Sequence, residues 1–96
     1  MALLDDVKLA LRISNTAFDA EITDLIAAAK ADLRISGVDP LKILDTDPLI
    51  KRAVITYAKA NFGFDNPDAD RLRQAYDMLK AHLTLSTEYT PASDTP

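Results

Sequence analysis

Residues 3–33 read LLDDVKLALRISNTAFDAEITDLIAAAKADL. Leu4, Val7 and Leu11 recur at helical spacing, with Ala10 beside them, so the stretch opens with an amphipathic helix over about 4–12. Asp5 and Asp6 fall in its first turn and Lys8 and Arg12 later, an order that suits the helix dipole. Ser14, Asn15 and Thr16 then break it, because their side chains favour turns and caps. A longer helix follows over about 17–36, with Thr16 or Asn15 as N-cap and Asp19 and Glu21 at its positive end. Phe18, Ile22, Leu25, Ile26, Ala29 and Leu33 form its apolar stripe. Ala27, Ala28 and Ala31 widen that stripe with small residues, which let a neighbouring helix approach closely. Gly37 is placed to stop it.

Working outward, the same grammar repeats twice. Asp47 followed by Pro48 is a cap with Pro at the first helical position, and Gly63 lies where the helix ends, giving a helix over about 48–62. Leu49, Ile50, Ala53, Val54, Tyr57, Ala58 and Phe62 cover more than half its circumference, which predicts the central helix of the fold. Its narrow polar strip is Lys51, Arg52, Thr56 and Lys59, with Ile55 set inside it. Asn66 and Pro67 open a last helix over about 67–85, whose core stripe reads Ala69, Leu72, Ala75, Tyr76, Leu79 and Leu83. Met78 and Leu85, seven apart, lie on a second line of that helix. Segment 38–46 reads as a loop lidding the core with Leu41, Ile43 and Leu44; the alternative is a single turn capped by Asp39 ahead of Pro40. Residues 86–96 carry one large apolar group, Tyr89, and have the composition of a flexible tail. The expectation is an all-α bundle of four helices, one domain over 1–85 with a tail over 86–96. Its core is Leu11, Ile22, Ile26, Leu33, Ala53, Val54, Tyr57, Leu72, Tyr76 and Leu79.

Composition narrows the function. Ninety-six residues make one domain with a thin stability margin. The absence of Cys removes disulfides and thiolate metal sites. Asp5 and Asp6 stand where a secretion signal would be basic, and no apolar run approaches the ~20 residues of a membrane span. A net charge of −4 with dispersed Lys and Arg lacks the footprint of a phosphate-backbone binder.

No catalytic, cofactor or metal set emerges. His82 is the only histidine and reads as a dipole partner near a helix C-terminus. The acid runs at Asp45, Asp47 and at Asp65, Asp68, Asp70 lack the central Gly and terminal Glu of a calcium loop, and helix capping explains them. The serines and threonines have no paired base in sequence. What remains is a set of spare apolar groups, Ile55, Met78, Leu85 and Tyr89, read as candidate assembly contacts; the alternative is the ordinary exposed edge of a small core.

The segments 7–13 (VKLALRI), 18–22 (FDAEI) and 25–30 (LIAAAK), with Arg52, Ala53, Val54 and Tyr57 later, resemble the tailed-phage head–tail connector family, also called head-completion or DNA-packaging adaptor proteins. The resemblance covers roughly residues 3–85. It implies a small helical bundle without enzymatic activity or cofactor, made in the bacterial host cytoplasm and placed at the virion neck. It further implies a homo-oligomeric ring beneath the portal protein, which extends the DNA channel and docks the next neck or tail protein. DNA would be passing cargo, and no membrane is involved. An acidic lumen would repel phosphate and let DNA slide. A different class stays open beside it: a small regulator binding nucleic acid through a helix-turn-helix formed by the first two helices around residues 14–16. The acidic candidate recognition helix, with Asp19, Glu21 and Asp24, stands against that alternative.

Overall fold

The structure is a computed structural model that describes residues 3–63 and 66–91. Helix α1 spans Leu3–Leu11, α2 Asp19–Ile35, α3 Pro48–Asn61 and α4 Ala69–Leu85, with a 3-10 turn at Pro40–Lys42. α3 is the central element and packs against each of the other three helices, as its apolar circumference predicts. α1 also rests on α2. The core joins Leu3 and Val7 of α1, Ile22, Ile26, Ala29 and Leu33 of α2, Ile50, Ala53, Val54 and Ala58 of α3, and Tyr76 and Leu83 of α4.

Helix ends follow local chemistry. After α1, Arg12 takes a left-handed conformation (φ 61°). Its N–H donates to Leu9 O at 3.1 Å and the Ile13 N–H to Lys8 O at 2.9 Å, the paired bonds of a Schellman ending. α2 ends the same way with Gly37 (φ 119°) in the left-handed place. There Val38 N–H donates to Leu33 O at 3.0 Å and both side chains are fully buried, which supplies the apolar contact of the motif. Asp47 caps α3 by accepting from the N–H groups of Leu49 and Ile50 at 2.9 and 3.2 Å.

Two starts differ from expectation. α2 begins at Asp19 rather than at 17, because Asn15 Oδ1 accepts from Ala17 N–H at 3.1 Å and closes a separate turn before the helix. α4 begins at Ala69 rather than at Pro67; Asn66 Oδ1 accepts from Asp68 N–H at 3.0 Å while its Nδ2 donates to Lys59 O at 2.7 Å, which pins the turn to α3 instead.

Packing also moves several side chains. Six of the ten expected core residues are buried; Leu11, Tyr57, Leu72 and Leu79 are half-buried. Ala75, expected in the core stripe of α4, is exposed, since the buried line runs through Tyr76 and Leu83. Phe18 is 43% exposed, its ring edge-on to Phe62 at 5.5 Å. Thr56, placed by sequence on the polar strip, is only 7% exposed and donates its hydroxyl to Arg52 O at 2.8 Å, which satisfies it inside the core. Segment 38–46 holds the Asp39-capped turn, with Leu41 N–H donating to Asp39 Oδ1 at 3.0 Å. Leu41 and Leu44 are exposed, so the lid over the core is Val38 with half-buried Ile43. The chain remains fastened beyond Leu85. Tyr89 O accepts from Asp39 N–H at 2.8 Å, its ring packs on the core, and its hydroxyl donates to the Asp47 carboxylate at 3.0 Å. Residues 92–96 of the expected tail lie outside the described residues, as does Asp65.

Candidate assembly surface

Two ion pairs hold the N-terminal helix in place: Lys8 to Asp19 at 2.8 Å and Lys51 to Asp6 at 3.3 Å. Oδ1 of Asp19 and Oδ2 of Asp6 are buried there without a hydrogen bond, and the neighbouring ammonium groups balance their charge. A third polar cluster bridges α2 to α4. Tyr76 donates to Asp32 Oδ2 at 2.5 Å, and Lys80 Nζ sits 3.0 Å from the same oxygen and 5.2 Å from the Tyr76 ring centre. Burial, then Asp32, pushes the Tyr76 phenol far above its ordinary range. Burial opposes ionisation of Asp32, but the Tyr76 hydroxyl and the Lys80 ammonium together outweigh it and hold its carboxyl below the usual value. A recess of about 250 Å³ opens beside this cluster, lined by Tyr57, Asn61, Arg73 and Asp77 among others. Asp32, Tyr76 and Lys80 line the recess as well, and their mutual bonds cross-link α2 to α4.

The other sequence candidates resolve similarly. His82 is exposed on the last turns of α4, beside Leu49, Leu79 and Leu83. Asp47 is a cap, and Asp45 pairs with Lys30. Asp68 and Asp70 pair with Arg71 and Arg73 one turn away. Among the described residues no group of three or more His, Asp or Glu side chains converges as a metal site. Among the described residues no helix is long and apolar enough to cross a membrane.

The four candidate assembly groups separate into two kinds. Ile55 is half-buried and packs against the core, and Tyr89 is held by Asp39 and Asp47, so each also contributes to the fold. Met78 and Leu85 stand 65% and 84% exposed on the outward face of α4. His82 lies between them, and the Leu49, Leu79, Leu83 recess adjoins it with a volume of about 270 Å³ and an almost wholly apolar wall. Sequence reasoning missed exposed Ile35, Leu41 and Leu44: Ile35 lies off the α2 stripe and receives no assignment, and Leu41 and Leu44 read as a lid because a loop carries no period that would mark an outward face.

The family described as Phage connector protein matches residues 3–90, nearly the whole chain. No curated protein and no solved structure matches the chain.

Proposed function

Because the chain belongs to the phage connector protein family, we propose that it is a structural adaptor of a phage or prophage neck, whose copies form a ring below the portal. The ring extends the DNA channel and docks the next neck or tail component. The single observation that carries this reading is the family match over residues 3–90. The surface supports it. An acidic domain of net charge −4 leaves two large apolar groups, Met78 and Leu85, exposed about two turns apart on α4. A closed ring repeats one contact between two different patches, and exposed apolar groups are what such a contact covers. Like charge keeps free subunits apart, and docking on the portal raises their local concentration.

No observation favours the nucleic-acid regulator. α2, the helix that would enter a DNA groove, exposes Glu21 and Asp24, which repel phosphate. The test is the solution mass of the full chain across concentration, alone and with the portal protein. The expected result is a homo-oligomer that forms, or is strengthened, when the portal is present. A chain that stays monomeric and ignores the portal, or that binds a defined duplex at sub-micromolar concentration, overturns the proposal.

A further inference from the structure

The outward face of α4 has a regular composition. Arg71, Ala75, Met78, His82 and Leu85 follow one another at spacings of four and three, which lines them along one side of a helix. All five are exposed, and the line holds no carboxylate although the chain is acidic. α2 carries a second line of the same period with the opposite character: Glu21, Asp24, Ala28, Ala31 and Ile35. Four of these are exposed and Ala31 is half-buried. One line offers large side chains and a guanidinium. The other offers small side chains and two carboxylates.

We propose that the outward face of α4 on one copy packs along the outward face of α2 on the next copy. The inference rests on the ring reading and names the two surfaces that would make it. Charge sets the direction. The acids lie at the start of the α2 line and Arg71 at the start of the α4 line, so the helices run parallel. In that register Arg71 meets Asp24, Ala75 meets Ala28, Met78 enters the space over Ala31, and His82 lies on Ile35. Small residues beneath Met78 let the two backbones approach. The current neighbour of Arg71, Asp68 at 3.5 Å, is a largely exposed pair that yields readily. The two patches differ, so the contact is heterologous and each subunit can both give and receive it.

The absence of Cys makes the test clean. Ala28→Cys and Ala75→Cys alter two exposed alanines, and a disulfide between them needs Cα atoms about 4.4–6.8 Å apart. Mild oxidation of the full-length double variant at high concentration should give a ladder of linked dimers, trimers and larger species on a non-reducing gel. Each single variant should stay monomeric. Adding Asp24→Lys should reduce the ladder roughly twofold to fivefold, the worth of an exposed pair, and Arg71→Glu in the same chain should restore it. A dimer from Ala75→Cys alone would show two-fold pairing of α4 and overturn the contact. No ladder from a chain that still reaches oligomeric mass would place the ring on other surfaces and leave the adaptor reading standing. No ladder and no oligomer, with or without the portal, would remove both.

Discussion

Replacing Arg12 by Gly should stabilise this protein. Arg12 stands at the end of α1 with φ 61°, where a side chain's Cβ crowds the backbone. The conformation is imposed from both sides. The Arg12 and Ile13 N–H groups close the helix onto Leu9 O and Lys8 O, and half-buried Ile13 packs against the core. Among the described residues Arg12 makes no ion pair that would offset the strain. A non-glycine residue in this region costs roughly 1–2 kcal/mol. Glycine relieves that cost but loses about 0.5–1 kcal/mol more chain entropy on folding. The net gain therefore lies between about 0 and 1.5 kcal/mol, with its centre at roughly 0.8 kcal/mol. For a domain of this size that central value should raise Tm by about 3–6 °C. The measurement is thermal and urea unfolding of Arg12→Gly, Arg12→Asn and Arg12→Ala beside the parent. Gly should lead, Asn should gain part, and Ala should match Arg, because Ala meets the same Cβ clash. If Ala gains as much as Gly, the effect comes from losing the charge or the long side chain, and the strain argument fails.

Other outcomes follow from burial and bonding. Leu83→Ala removes a fully packed side chain and should cost about 2–5 kcal/mol in urea unfolding, while Leu85→Ala, two residues on and 84% exposed, should change stability by less than about 0.5 kcal/mol. Asp47→Ala should cost roughly 0.5–2 kcal/mol as a lost cap, and Tyr89→Phe should be milder in that background than in the parent, since the two share a hydrogen bond; additive costs would deny the coupling. The Asp32 carboxyl titrates below its ordinary value, so the unfolded chain binds its proton first. Its contribution is thus present above about pH 4 and lost as pH falls through the folded value. Asp32→Asn should flatten that part of the acid limb of a stability–pH curve, and an unaltered limb would refute the assignment.

The exposure of the four candidate groups was half legible in the sequence. Met78 and Leu85 could be picked out because they fall on a line of α4 separate from the stripe that packs, which periodicity alone reveals. Ile55 and Tyr89 could not be told from them. Each looks spare in sequence, and each is claimed by a partner that only folding brings near: the core for Ile55, and Asp47, forty-two residues away, for Tyr89.

The same division holds for the whole molecule. Sequence alone determined the all-α class, the four helices, the Asp47 cap, the Gly37 stop and the central place of α3. These rest on bonds within a few residues and on a periodicity that any helix must obey. Tertiary structure decided which apolar groups stay outside, as for Leu41 and Leu44, and which polar group goes inside, as for Thr56. It also joined Asp32 to Tyr76 across forty-four residues and tied Tyr89 back to the start of α3. Those outcomes depend on which face of one helix another one covers, and pairing energies between distant residues set that choice, which no local pattern records.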